Sequence, residues 1–236
     1  MKISKILGDP YDRDNIYAVT GKKIAYWIRN TKVTPNQITI FRNLSTLIIY
    51  YLIYLAEYKY LLIAGISMNI WAVFDNVDGQ LARLKKAESK FGGWMESTFD
   101  PMLGENYGFF GFFVALAAFR IDHNSIIWVI LFFNILGYNL NRLFIDKHNQ
   151  LINGNQNNIK ENINVDKKAI SKLIFLFKVW YNVVIYFSLI LYGPIKSLFG
   201  LNTLFYSLLI IAVMRQFDWI YKAFKTVIYF RKNDYF

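Results

Sequence analysis

The sequence predicts an all-α integral membrane protein with six transmembrane helices and an N-terminal interfacial amphipathic helix. Three observations lead there. Of 236 residues, 55% are hydrophobic, 19% aromatic and only 18% charged, against about 25% charged in an ordinary soluble domain. The apolar residues come in blocks, such as 47–55 and 126–133, separated by short polar stretches. Lys and Arg outnumber Asp and Glu by 27 to 16, and their placement fits the excess of basic residues on the cytoplasmic side of membrane proteins. Membrane lipids, not nucleic acid, are therefore the expected surroundings. The chain has no Cys, which excludes disulfides, thiolate nucleophiles and Cys-ligated metal centres. His123 and His148 lie far apart in polar stretches, which argues against a His-based metal site.

Residues 1–36 are read as a cytoplasmic segment without a secretory signal, because they hold seven basic residues and no apolar run long enough for a signal core. Within them, 15–30 places Ile16, Tyr17, Ile24, Trp27 and Ile28 at helical spacing opposite Lys22, Lys23 and Arg29. That pattern suits a helix lying in the headgroup region with Trp27 at the interface. Thr34-Pro35-Asn36 ends it and opens the next helix, since the residue before a proline avoids helix and proline suits a first turn.

A bilayer core needs about 20 apolar residues per helix. On that measure the spans are 37–57, 60–82, 93–119, 124–145, 172–194 and 200–223. The third is interrupted by polar groups and reads clearly as a membrane helix only from Tyr107 onward; Pro101 denies it one hydrogen bond. Gly193-Pro194 is read as the stop between the last two. The polar, Asn-rich stretch 146–168 is read as a mobile cytoplasmic loop, 224–236 as a cytoplasmic tail, and 37–223 as one catalytic domain. With both termini inside, only Lys59, Arg120 and Lys196 face outward. The opposite orientation would put nearly every basic residue outside, against the Lys/Arg bias.

The informative stretch is 73–107. Asp75 and Asp78 sit at the inner end of span two, Glu96 and Asp100 at the inner end of span three. Carboxylates close to hydrocarbon are costly and mark function until a partner is named. Asp75, Asp78 and Ala82 share one helix face; Gly92, Glu96, Asp100 and Gly104 share another, with Glu96 and Asp100 about 6 Å apart. Gly79, Gly92 and Gly93 let backbones and a bulky ligand approach closely. Oxygen-only, anionic donors suit a hard cation such as Mg²⁺ or Mn²⁺. The alternative is pairing with the neighbouring Arg83, Lys85, Lys86 and Lys90.

Asp75-x-x-Asp78-Gly79-x-x-Ala82-Arg83, eight residues, then Gly92-x-x-x-Glu96-x-x-x-Asp100 resembles the signature of the CDP-alcohol phosphotransferase family. Every position agrees except that Glu96 stands where the family has its third aspartate. The stretch 34–39, Thr-Pro-Asn-Gln-Ile-Thr, also resembles the opening of the family's first membrane helix. The resemblance implies transfer of a substituted phosphate from a CDP-linked alcohol, often CDP-diacylglycerol, to the hydroxyl of a second alcohol, with release of CMP. It implies that Asp75, Asp78 and Glu96 hold the metal against the pyrophosphate, and that Gly79, Ala82 and Arg83, with Asn36, line the nucleotide. Asp100 is implied as metal ligand and as the base that takes the acceptor's proton. The resemblance also suggests a homodimer.

Arg42, Arg142, Lys178 and Arg215 lie in the inner thirds of the spans and form a candidate anion pocket for a phosphorylated acceptor, such as glycerol phosphate or inositol phosphate. Snorkelling to the interface is the alternative, with Asp218 at helical spacing as a partner for Arg215. Two other readings stay open at this point. One is a cation or solute carrier using the acids as its ion site. The other is an inactive CDP-alcohol-binding relative, suggested by Glu96 and Pro101.

Overall fold

The computed structural model describes residues 16–104, 108–154 and 167–232; at 100–101, 144–154, 167–182, 225–226 and 229–232 it describes the backbone alone. Eight helices follow one another: α1 (Ile16–Ile28), α2 (Pro35–Leu55), α3 (Tyr58–Lys85), α4 (Lys90–Phe99), α5 (Phe109–Asp122), α6 (Ile126–Gly154), α7 (Lys167–Phe199) and α8 (Thr203–Lys232). A π-helical turn, Asp100–Gly104, follows α4 and contains Pro101. Among the described residues all regular structure is helical. Pro35–Leu55, Tyr58–Lys85, Lys90–Asp122, Ile126–Leu143 and Thr203–Phe224 are long and apolar enough to cross a bilayer, and Val183–Phe199 adds a shorter apolar stretch of α7.

The described chain falls into two compact units that alternate in sequence: 16–49 with 66–100, and 50–65 with 101–232. In the first, α1, α2 and α3 share a small core of Ala25, Ile38, Val77 and Leu81, flanked by Ile24, Ile28, Val73 and Phe74. The start of α2 is fixed as the sequence suggests. Pro35 opens it, and Thr34 and Gln37 cap it reciprocally: the Gln37 backbone N–H donates to Thr34 Oγ1 (3.3 Å) and the Thr34 N–H to Gln37 Oε1 (2.9 Å). Lys85 Nζ, at the end of α3, donates to the carbonyls of Thr31 (2.7 Å) and Val33 (2.6 Å), fastening the α1–α2 connection to α3.

α1 turns a face of small residues inward. Ala18, Gly21 and Ala25 pack inward, while Ile16 and Trp27 are 75% and 73% exposed. The reason is backbone proximity: a Cβ on Gly21 would come within 2.7 Å of Asn76 Cβ, so only small residues fit against α3 there. Tyr17 completes the contact, donating its hydroxyl to Asn69 Oδ1 (2.6 Å).

In the second unit α8 packs on α5, α6 and α7, and α5 on α6. Tyr50 stacks on Phe113 and donates to the carbonyl of Leu103. A polar clasp joins α5, α7 and α8: Lys196 Nζ donates to Asp122 Oδ1 (2.7 Å) and Asn202 Nδ2 to Asp122 Oδ2 (2.8 Å). Asn202 Oδ1 also accepts from the N–H groups of Leu204 (3.1 Å) and Phe205 (3.4 Å), capping α8.

Three boundaries move. Gly193-Pro194 does not stop α7, which runs through Pro194 to Phe199 and ends where Gly200 takes a left-handed φ of +67°. Proline removes one helix hydrogen bond, but unwinding an apolar helix would orphan several backbone groups, and Leu189 and Tyr192 are buried on that turn. At the other end, residues 146–154 of the expected loop belong to α6 and Lys167-Lys168 to α7, while 155–166 lie outside the described residues. The expected tail is helical to Lys232.

Replacing Asn202 with Ala removes a helix cap and a ligand of Asp122 together. We expect Asn202→Ala to lose about 1–2 kcal/mol, read as a lower thermal unfolding midpoint in detergent. Leu198→Ala, at a 75% exposed position, should melt like wild type. Equal midpoints for all three proteins would show that the clasp does not hold the helices.

Candidate functional site

The site is built within the first unit from facing turns of α2 and α3. Asn36, Thr39 and Arg42 recur every three residues on α2 as a polar stripe. Opposite it, Asp75 and Asp78 share a face of α3. Arg42 donates from Nη1 to Asp75 Oδ1, and the same nitrogen lies 3.6 Å from Asp78 Oδ2. The Arg42 side chain is 1% exposed, with Asp78 at 12% and Asp75 at 38%. Its guanidinium stacks over Trp71, 4.7 Å from the ring centroid. Asp78 is further held by Thr39 Oγ1, which donates to Oδ2 (2.7 Å), and by the Gly79 N–H, which donates to Oδ1 (2.7 Å).

Above this floor opens a cleft of about 230 Å³. Pro35, Asn36 and Thr39 line it from α2, and Asp78, Gly79, Ala82 and Arg83 from α3. Ala87, Glu88 and Ser89 of the α3–α4 connection and Gly92, Gly93 and Glu96 of α4 complete it. Ser89 positions α4 by accepting the Gly92 N–H at Oγ (3.0 Å). A side chain at Gly92 would obstruct the cleft wall, its Cβ falling 3.0 Å from Asn36 Oδ1 and 3.1 Å from Ser89 Oγ.

Of the residues singled out in the sequence, the fold brings Asn36, Asp78, Gly79, Ala82, Arg83 and Glu96 to this one cleft, with Asp75 beneath them against Arg42. The backbone of Asp100 opens the π-helical turn, and its side chain lies outside the described residues, as does that of Lys178. Arg42, grouped in sequence with the acceptor residues, is instead placed as the counter-ion of Asp75 and Asp78. Arg142 and Arg215 belong to the second unit, where both meet Tyr138. Arg215 is buried with its Cζ 5.2 Å from the Tyr138 ring centroid, and Arg142 is exposed with Nη1 3.5 Å from the Tyr138 hydroxyl. Asp218 also gains partners beyond its own turn. Lys222, one turn further on, reaches it at 2.9 Å, and Asn141 donates to it from α6.

Thr39, Trp71, Glu88 and Ser89 went unread as site residues. The polar stripe on α2 is the signal that finds Thr39; the other three have none, because their roles depend on contacts across helices.

The donor set of Asp75, Asp78 and Glu96 is oxygen-only and anionic, the chemistry a hard divalent cation takes. One buried guanidinium faces two of these carboxylates, so anionic acceptors are in excess at the floor. Among the described residues no three carboxylates or imidazoles converge closely enough to hold an ion by themselves.

Comparison with known proteins shows the family. A family model described as CDP-alcohol phosphatidyltransferase matches residues 32–192. The chain is 38% identical over 81 residues to an archaetidylinositol phosphate synthase of Pyrococcus horikoshii, a match covering 34% of this chain and 42% of that protein. It is 32% identical over 106 residues to a bifunctional IPC transferase and DIPP synthase of Thermococcus kodakarensis, covering 45% of this chain and 22% of that one. A protein of the same description from Aquifex aeolicus is 30% identical over 113 residues, covering 48% and 24%. The chain thus spans less than half the length of each of these relatives. The family model, by contrast, takes in most of the chain, including α2, α3, α4 and the whole cleft, and the chain belongs to the CDP-alcohol phosphatidyltransferase family.

Proposed function

We propose that this protein is a Mg²⁺- or Mn²⁺-dependent CDP-alcohol phosphotransferase of phospholipid-type biosynthesis. The donor is a CDP-linked alcohol, CDP-diacylglycerol or a similar lipid, and the acceptor a phosphorylated polyol such as glycerol phosphate or inositol phosphate. The observation that carries this reading is Asp78, which shares Arg42 with Asp75 and lines a cleft walled by Gly79, Ala82, Arg83, Gly92 and Glu96.

The acceptor hydroxyl forms a new P–O bond to the phosphorus that bears the donor's alcohol. The P–O–P bond breaks, CMP leaves with the bridging oxygen, and the hydroxyl proton passes to a carboxylate, assigned to Asp100. A divalent ion held by Asp75, Asp78, Glu96 and Asp100 would neutralise the pyrophosphate and stabilise the leaving CMP. The chain's own side chains do the rest. Arg42 and Thr39 fix the orientation of the two floor carboxylates, and Arg83 offers a fork of donors to phosphate oxygens. Gly79, Ala82 and Gly92 keep the walls low enough for a nucleotide to lie against backbone.

The name of the Pyrococcus relative joins a lipid to inositol phosphate, which supports a phosphorylated acceptor. Arg142, Arg215 and Lys178 are the basic residues proposed to meet it. We further propose a multi-pass protein with both termini and the cleft on the cytoplasmic side, supported by the placement of Lys and Arg. That position lets lipid tails stay in hydrocarbon while the head group meets a soluble acceptor. A homodimer of catalytic bodies spanning 37–223 completes the reading.

The test is CMP release by detergent-purified protein with Mg²⁺ and CDP-diacylglycerol, with glycerol phosphate, inositol phosphate or serine added separately. Release is expected with a phosphorylated polyol and not with serine. Asp75→Asn and Asp100→Asn should each lower it about 10²-fold or more; undiminished release in both would overturn the mechanism. Arg42→Met, which leaves two carboxylates without their buried counter-ion, should cost about 2–4 kcal/mol of stability and most of the activity. A wild-type melting point in that variant would show that Arg42 is not the counter-ion on which the floor rests.

A further inference from the structure

Trp71 stands four residues before Asp75, so the two share a face of α3. It is 7% exposed, and its ring lies under the Arg42 guanidinium, with Cζ 4.7 Å from the ring centroid. Among the described residues every other cation that lies over a ring sits on a tyrosine.

An indole is a costly filling for this slot. Its N–H is buried and meets no acceptor among the described residues, and a buried donor left unsatisfied destabilises the fold. Phenylalanine would fill most of the same space without that cost. What the indole supplies better than any other ring is a negative π-face, whose attraction for a cation strengthens where water is excluded. Arg42, 1% exposed, is such a cation.

The two floor carboxylates differ in what they can still offer. Asp78 is 12% exposed and held on both oxygens, by Thr39 and by the Gly79 N–H. Asp75 is 38% exposed and held through Oδ1, by Arg42. We propose that Trp71 is a positioning residue for the floor: its π-face fixes the plane of the Arg42 guanidinium, so that Asp75 is held through Oδ1 and its Oδ2 remains available to a divalent cation. The inference rests on the metal-dependent reading above. A guanidinium is a planar fork that matches a carboxylate bidentately. Freed to turn, it would grasp both oxygens of Asp75 and compete with the ion for them.

The experiment is a titration of Mn²⁺ into the full-length protein in detergent, read as loss of the free-ion paramagnetic resonance signal. It compares wild type, Trp71→Phe, Trp71→Leu and a protein carrying fluorinated tryptophan at position 71. Phe and Leu leave holes of similar size, but only Phe keeps a π-face. Trp71→Phe should bind Mn²⁺ within about threefold of wild type, and Trp71→Leu about tenfold more weakly. Fluorination keeps the ring's shape and withdraws charge from its face, so it should weaken binding without moving the melting point. That arm decides the matter even if Trp71→Leu fails to fold. In turnover, excess Mg²⁺ should restore kcat to Trp71→Leu, with KM for the acceptor unchanged throughout. Wild-type Mn²⁺ affinity in the Leu and fluorinated proteins overturns the role of Trp71 alone. Equal losses in Phe and Leu, with no effect of fluorine, assign Trp71 to packing and overturn it too. Wild type that binds no Mn²⁺ overturns the metal-dependent reading and this inference with it.

Discussion

Arg42 is a permanently charged side chain, 1% exposed, in a helix that is otherwise apolar on most of its surface. A cation so placed is tolerable only with anionic partners at hydrogen-bond distance. Asp75 and Asp78 supply them, and much of the first unit follows. α3 must turn its carboxylate face to α2, which aligns Thr39 with Asp78 and stacks Trp71 on the guanidinium. α1 backs α3 through Gly21 and Tyr17, and Lys85 ties the α1–α2 connection to the end of α3. Pro35 and Asn36 thereby stay at the cleft mouth. The cleft is the space left when two helices are held at a spacing set by an ion pair.

That ion pair is unbalanced: one guanidinium serves two carboxylates, and Glu96 faces the same cleft from α4. Removing the imbalance would be simple, since a second Arg or an Asn at 78 would neutralise the floor. The excess of negative charge is instead kept in a region where burying charge is costly.

The chemistry-bearing residues were legible because their information is local. Asp75, Asp78, Gly79, Ala82, Arg83, Gly92 and Glu96 recur at helical intervals on two adjacent helices, and intervals survive into structure unchanged. The Thr34-Pro35 start of α2 was legible for the same reason. What periodicity missed were pairings between elements. On α1 periodicity gave the face of Ile16 and Trp27 for the membrane interface, but not the small face of Ala18, Gly21 and Ala25, of which Gly21 lies against Asn76. On α8, spacing did not reveal that Asn141 of α6 reaches Asp218. Pro194 carries a strong propensity to end a helix in water; in an apolar helix the alternative conformations leave more backbone unpaired, and α7 continues.

These pairings also separate polar groups that hold the fold from polar groups that act. Asp122 receives Lys196 and Asn202, one on each oxygen, and Asn202 in turn caps α8. Asn141, Asp218 and Lys222 close a ring in which each member bonds the other two. Both networks match donors to acceptors among their own members, and a satisfied network rigidifies without inviting a ligand. The cleft is composed differently. Asp78 is held on both oxygens, but Asp75 bonds Arg42 through Oδ1, and Glu88 and Glu96 stand exposed along the walls. Two carboxylates thus stand exposed in the cleft that the family model takes in.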